Sequence, residues 1–447
     1  MVGFGSSGVR GVVNEDLTPH VVTEIAAAAG DVMAADRVAV GHDTRTSATT
    51  FANAASAGFT AVGADVDRVG AVPTPGLQAY CRRQRTFGCM VTGSHNPPRY
   101  NGIKLFDRDG IEVTGATLEA VETTFERGTY APAGWREVGT QRAIDGACDP
   151  YVEGIIEAIG GASGMTVAVD PGHGPGAFVT PRLCRALGCS VTTINDEPDG
   201  TFPGRGPEPR PAALAGLATL VEAADADLGI AHDGDADRAV FVDETGAVVD
   251  GNAIMAALAA DRVTPGDVVV TAVNASSVLA EVVADRGGQL DRTPIGSSNI
   301  VARIRERRAA GDEVVLAGEA NGGIFLPAER VARDGPFVAA TVLAGIVDTP
   351  LSSMVAPYDV SMVRRRIEHG SAATRNHMMA AIRAYADGLE WPVDETDGVR
   401  IELGDGWVLA RPSGTEPVIR VTAEADDEAT AAAYADEIVE VATDDSP

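Results

Sequence analysis

The chain has 447 residues, 45% of them hydrophobic, and its 64 acidic against 35 basic side chains give a formal charge of −29 at neutral pH. At roughly 150 residues per domain, that length implies three or four domains rather than one core. The acidity is dispersed, with no long acidic block and no basic face, which excludes an acidic tail and argues against nucleic acid as a partner. Lys104 is the only lysine; the other 34 basic residues are arginines.

Dispersed acidity with almost no lysine predicts a protein that stays soluble in concentrated salt, as in a halophile. The alternative is an ordinary acidic cytosolic protein. The five cysteines show no CxxC and no paired zinc spacing, so they read as reduced thiols in a cytoplasmic compartment. With no apolar run of 18 residues and no basic-plus-apolar leader, neither a membrane span nor a secretory signal is expected.

The first stretch, Gly3 to Gly11, reads as a glycine-rich loop ending near Arg10, whose free amides and guanidinium could hold phosphate but which alone is more often a turn. Helix 21–35, strand 37–41, helix 46–63, strand 65–70 and helix 76–85 then alternate. The strand Gly88 to Thr92 breaks at Gly93, Pro97 and Pro98, which predicts an exposed turn bearing Ser94, His95 and Asn96. Serine on such a turn is a nucleophile, a phosphate carrier or simply a turn residue. Lys104 follows, and lysine, unlike arginine, can lose its proton near neutrality when desolvated. In open α/β sheets sites lie at the C-terminal ends of strands, where Arg45 and Ser94 fall.

Residues 114–164 contain helical segments and end in the Gly-Gly-Ala-Ser-Gly connector. A second alternating unit runs from strand 166–170 to strand 227–231 and ends in His232-Asp233-Gly234-Asp235-Ala236-Asp237-Arg238. Three carboxylates at alternate positions can converge on one hard cation, Mg²⁺ or Ca²⁺. An EF-hand loop is opposed by Arg238 at its glycine position and by the strand that follows; an acidic surface run is the other alternative. A third alternating unit, 251–356, carries Gly318-Glu319-Ala320-Asn321-Gly322-Gly323 after a strand, a loop suited to sugar hydroxyls though a plain turn by itself. From Tyr358 the pattern becomes α+β, with a helix at 372–388 and another at 428–442. Here Arg411-Pro412-Ser413-Gly414-Thr415-Glu416-Pro417, with Arg420 on the next strand, describes a phosphate cradle or, failing that, a hairpin turn.

Five segments in order, Gly8 to Gly11, Val40 to Ser47, Thr92 to Lys104, Asp233 to Arg238 and Arg411 to Pro417, resemble the α-D-phosphohexomutase superfamily. The resemblance implies three similar α/β domains with mixed sheets plus a smaller C-terminal α+β domain around a central cleft. The boundaries expected are 1–150 for a phosphoserine domain, 151–250 for a metal-binding domain, 251–357 for a sugar-binding domain and 358–447 for a phosphate-binding domain. It also implies phosphoserine at Ser94, with Arg10, His95 and Lys104 in the catalytic set and Mg²⁺ held by Ser94, Asp233, Asp235 and Asp237. Substrate contacts would come from Arg238, Glu319, Asn321, Gly322, Arg411, Ser413, Gly414, Thr415 and Arg420. The implied partner is a sugar phosphate, with a sugar bisphosphate as the implied activator. The opening loop departs from relatives in Ser6-Ser7, the loop Gly296-Ser297-Ser298 lacks an expected His or Asp, and Asn321 resembles archaeal members. The implied reaction moves phosphate between C6 and C1, of glucosamine phosphate first, with mannose or glucose phosphate next. The alternatives are a phosphopentomutase, a phosphatase and a phosphosugar-binding protein without turnover.

Overall fold

The computed structural model describes residues 3–5, 8–162, 164–413 and 416–444. The chain divides into two compact units, one built from residues 1–251, 304–306 and 320–354, the other from 252–303, 307–319 and 355–447.

The first unit holds two sheets. The larger runs Gly3–Gly5, Gly8–Val12, Tyr100–Phe106, Phe87–Val91, Arg37–His42, Asp65–Ala71, Gln141–Ala143 in spatial order. Its central strands are parallel, and Tyr100–Phe106 returns antiparallel to Phe87–Val91. Two helices cover one face. Pro19–Val32 starts where the Thr18 side chain accepts the Val21 N–H and Pro19 presets the first turn, and it buries Val22, Ile25 and four consecutive alanines. Its partner Ala48–Ala61 approaches so closely that a Cβ on Gly58 would lie 2.2 Å from the Thr23 carbonyl oxygen. Small residues here trade side-chain volume for helix contact.

Two expectations are corrected. The glycine-rich opening is not a loop: Gly8–Val12 is a strand paired with both Gly3–Gly5 and Tyr100–Phe106, and glycine content hid its extended conformation. Lys104 lies within that returning strand. Gln141–Ala143 interrupts a stretch read as helical, adding an edge strand to Asp65–Ala71.

The smaller sheet of this unit has the order Ala239–Val242, Leu228–His232, Thr166–Asp170, Ser190–Thr193, parallel except for the first strand. Helix Gly335–Gly345, apolar all round, packs on it and on helix Asp149–Ile159.

In the second unit the strand Val268–Ala272 lies parallel between Gln289–Thr293 and Val314–Glu319. A wholly antiparallel sheet follows, Ser361–Glu368, Val418–Ala425, Gly406–Pro412, Val399–Leu403, Val393–Asp394, backed by helices Ala372–Asp387 and Glu428–Thr443. Its other face meets the first sheet of this unit through buried Trp407 and Leu409 against Val273. There the buried Arg400 guanidinium stacks 3.9 Å from the Trp407 ring and donates to the Val273 and Ala275 carbonyls.

Candidate active site

Ser94 is placed by two strand ends. Arg37–His42 and Phe87–Val91 run in register to His42 opposite Val91, and the Asp43 N–H continues the ladder to the Val91 carbonyl. Residues 43–45 and 92–94 therefore leave the sheet side by side. The Asp43 carboxylate accepts from Arg45 N (2.9 Å), Arg45 Nε (3.0 Å), the Thr92 hydroxyl (2.7 Å) and Gly93 N (3.3 Å). Burial pushes Asp43 above the usual carboxylate range, against the pull of Arg45 and these hydrogen bonds.

The rest of Arg45 is spent on backbone. Its Nη1 donates to the carbonyls of Pro97 (2.8 Å) and Tyr100 (2.9 Å), its Nη2 to those of Ser94 (2.7 Å) and Asn96 (2.6 Å). With Nε on Asp43, every N–H of the guanidinium is engaged, and the side chain is buried against the Phe202 ring. A Cβ on Gly93 would fall 2.5 Å from Arg45 Cζ, which is why glycine precedes the serine.

Held this way, Ser94 takes a left-handed backbone (φ 47°), rare for a residue with a side chain. Its N–H donates to the Thr92 hydroxyl, and its Oγ donates to Asp233 Oδ2 at 2.9 Å. The exposed turn expected from the prolines is corrected: Ser94 is fully buried, because the Asp233 loop lies over it and Arg45 draws the turn inward.

The acidic loop leaves Leu228–His232 and returns in Ala239–Val242. The His232 ring braces its base. The Arg238 carbonyl can only accept, so Nδ1 carries the proton toward it (2.7 Å) and Nε2 accepts from the Thr180 hydroxyl (2.8 Å). Burial lowers this imidazole to about 4. Arg205, paired with Asp170 at 2.8 Å, adds a bond to the His232 carbonyl at 2.7 Å.

Ligand oxygens of Asp233, Asp235 and Asp237 all lie within 4.8 Å of one another, and all three residues are buried. Lys104 Nζ bridges Asp235 Oδ2 and Asp237 Oδ2 at 2.8 Å each. Thr74 donates its hydroxyl to Asp235 (2.6 Å), Arg333 its guanidinium to Asp237, and Arg238 its N–H to Asp233 (3.2 Å). Asp235 Oδ1 and Asp237 Oδ1 remain buried with no hydrogen-bond partner among the described residues. Orphaned carboxylate oxygens in an oxygen-only set are the donors a hard divalent cation takes up, so the site fits Mg²⁺.

The electrostatics separate Asp233 from Asp237. Burial and the two neighbouring carboxylates hold Asp233 well above the usual range. Asp237 goes below it because Arg333, Lys104 and Arg238 together outweigh its burial. For Lys104, burial favours the neutral amine, but Asp235 and Asp237 outweigh it and the ammonium holds its proton more tightly than usual. The easily lost proton expected of a desolvated lysine is therefore not found in this arrangement. His95 is neutral: burial, then Arg238 and Arg10, lower it to about 2, and its Nδ1 accepts from Arg238 (3.0 Å) while lying 3.4 Å from Ser94 Oγ. Arg10, on Gly8–Val12, is lowered by burial with Asp235 opposing. Thr74, Arg205 and Arg333 were missed from sequence; a threonine between prolines and isolated arginines carry no local signal.

Asn321 and Gly322 also belong to the first unit. Asn321 Oδ1 accepts the Gly323 N–H in a tight turn, and the Gly322 carbonyl accepts from Ala239, directly after the acidic loop.

In the second unit Glu319 ends the strand Val314–Glu319, and its Oε1 accepts the Gly296 N–H at 3.3 Å. The adjacent Ile295 N–H donates to Asp397 Oδ2 (3.0 Å), which pairs with Arg411 Nε at 3.1 Å. A continuous polar path thus joins the carboxylate on one sheet to the arginine on the other. Ser413 Oγ accepts the Glu416 N–H, and Arg420 pairs with Glu416 at 2.7 Å. Gly414 and Thr415, named with this cradle, lie outside the described residues.

Comparison with known proteins covers nearly the whole chain. Four phosphoglucomutase/phosphomannomutase family profiles match: α/β/α domain I at residues 1–131, domain II at 149–246, domain III at 250–359 and the C-terminal domain at 362–441. A probable phosphoglucosamine mutase of Methanopyrus kandleri is 40% identical over 446 residues, 98% of this chain and 97% of that one. A phosphoglucomutase/phosphomannomutase of Thermococcus kodakarensis is 36% identical over 450 residues, 96% of each. Among solved structures, a phosphoglucomutase/phosphomannomutase family protein of Burkholderia thailandensis superposes with a TM-score of 0.88 at 27% identity, covering 100% of this chain and 99% of that one.

Two outcomes follow from this geometry. Arg45→Lys replaces a five-donor fork by a single ammonium, so it should cost about 3 kcal/mol in chemical denaturation and about 100-fold in turnover. His232 is lowered in the folded chain relative to its ordinary value of 6.5. The unfolded chain then binds the extra proton as pH falls from 6.5 to 4, and stability is lost across that window, by about 3 kcal/mol at its lower end. Denaturation midpoints taken across those pH values should fall less steeply for His232→Gln than for the parent.

Proposed function

The chain belongs to the phosphoglucomutase/phosphomannomutase family of α-D-phosphohexomutases, and we propose that it exchanges phosphate between C6 and C1 of glucosamine phosphate through phospho-Ser94 and a bisphosphate intermediate. As a phosphohexomutase it is an isomerase acting by intramolecular phosphotransfer. The observation that carries the mechanistic reading is the buried Ser94 hydroxyl, 2.9 Å from the first aspartate of the acidic triad. Glucosamine is placed first on the name of the Methanopyrus relative, and mannose and glucose phosphates stand next on that of the Thermococcus relative.

In this reading residues 1–150 carry the phosphoserine, 151–250 the metal ligands, 251–357 the sugar contacts and 358–447 the phosphate contacts. A hydroxyl oxygen of the bound sugar phosphate attacks the phosphorus of phospho-Ser94. The new P–O bond forms as the bond to Oγ breaks, the hydroxyl proton leaves the sugar oxygen, and a proton returns to Oγ. The resulting bisphosphate presents its other phosphate to Ser94, and the same exchange runs in reverse, so no phosphate is lost overall. A trace of sugar bisphosphate charges Ser94 at the outset.

Mg²⁺ held by Asp233, Asp235 and Asp237 with the Ser94 phosphate would neutralise charge on the phosphoryl group. Lys104 and Arg10 add fixed positive charge beside it, Lys104 as the protonated, hydrogen-bond-donating form. Neutral His95 and Arg238 orient the serine loop against the acidic loop. Glu319, Asn321 and Gly322 take sugar hydroxyls, and Arg411, Ser413, Gly414, Thr415 and Arg420 take the phosphate that does not react.

Initial rates on glucosamine, mannose and glucose 6-phosphates and ribose 5-phosphate, with Mg²⁺ and a trace of bisphosphate, test this reading. Glucosamine 6-phosphate should dominate, and Ser94→Ala should lower its rate by about 10⁴-fold or more. Ribose phosphate as best substrate, net release of inorganic phosphate, or an undiminished Ser94→Ala enzyme would contradict it.

A further inference from the structure

The antiparallel sheet of the second unit places three arginines at one register. Arg366 on Ser361–Glu368 stands opposite Arg420 on Val418–Ala425, and Arg420 stands opposite Arg411 on Gly406–Pro412. Directly paired residues share a face of a sheet, and like charges so paired repel. The next residues along, Ile367 and Ile419, are buried on the opposite, helix-covered face. Three adjacent arginines in a chain of charge −29 are not explained by composition.

The row is only partly balanced. Arg411 pairs with Asp397, while one carboxylate, Glu416, serves both remaining guanidiniums, Oε1 to Arg366 at 3.0 Å and Oε2 to Arg420 at 2.7 Å. Among the described residues this is the one hydrogen bond each of those two guanidiniums makes, so each keeps further N–H donors. Arg366 and Arg420 are about half exposed, with side-chain accessibilities of 60% and 48%. Two forks fastened by one shared carboxylate and still open to solvent are preset for a dianion with several oxygens.

We infer that Arg366 is a further substrate-binding residue, taking the non-reacting phosphate of the sugar phosphate together with Arg420, while Glu416 positions both. This rests on the mutase reading and extends its phosphate cradle to a strand about 45 residues upstream in the chain. No step of the chemistry changes; Arg366 acts in binding.

The test pairs two variants. Arg366→Gln should raise KM for glucosamine 6-phosphate about tenfold with kcat within about twofold of the parent, since one charge-assisted contact is lost. Calorimetric titration of glucosamine 6-phosphate into Ser94→Ala carrying Arg366→Gln should weaken about tenfold relative to Ser94→Ala alone, and binding should depend less steeply on salt. Glu416→Gln, which loosens both arginines without removing either, should weaken binding by less than Arg366→Gln does, about threefold. An unchanged KM and affinity in Arg366→Gln would overturn the inference. So would a loss in Glu416→Gln as large as that in Arg366→Gln, because Arg366 would then serve only to anchor Glu416. Parental turnover abolished by Ser94→Ala, whatever Arg366 does, keeps the outcome separate from that of the mutase reading.

Discussion

The turn that carries Ser94 depends on one guanidinium. Arg45 gives one N–H to Asp43 and four to the backbone carbonyls of residues 94, 96, 97 and 100. A turn that contains two prolines and a left-handed serine has few internal hydrogen bonds with which to hold its shape. Arg45 supplies them from below, and Asp43 fixes Arg45 while also holding Thr92 and Gly93. The backbone strain at Ser94 is sustained because several buried, charge-assisted bonds oppose its relaxation. What results is a hydroxyl aimed at Asp233 from a rigid base.

The second constraint is charge balance. Three buried carboxylates within 4.8 Å would repel one another, and the surroundings supply Lys104, Arg333, Arg238 and Arg10 in compensation. This accounts for the single lysine in physical terms. A compact ammonium on an inward-facing strand position can bridge two carboxylate oxygens at 2.8 Å each, where a planar fork would overreach. Two buried oxygens, Asp235 Oδ1 and Asp237 Oδ1, are left without a hydrogen bond among the described residues, and those are the ones suited to a cation. The sole lysine thus marks the site, though by tight ion pairing rather than by the facile proton loss that a buried amine suggests.

The turn bearing Ser94 and the convergence of the alternating aspartates were legible in the sequence because their residues lie close together. The alternation of strands and helices was legible from periodicity. What was not legible arises from long-range contact. Nothing local marks Arg333 as a partner of Asp237, or Thr74 as a partner of Asp235 across 161 positions. Gly8–Val12 reads as a loop until its two neighbouring strands are known. The burial of Ser94 is likewise set by residues outside its own turn, and Arg366 joins Arg411 and Arg420 only through strand register.

The central claim is that Ser94 carries the phosphoryl group, and phosphate labelling tests it most directly. Radiolabelled glucose 1,6-bisphosphate incubated with the enzyme and Mg²⁺ should leave label on the peptide containing Ser94 and on no other. Addition of unlabelled sugar monophosphate should chase that label off the protein. Absence of label on the Ser94 peptide, or label there that sugar phosphate does not remove, would contradict the account.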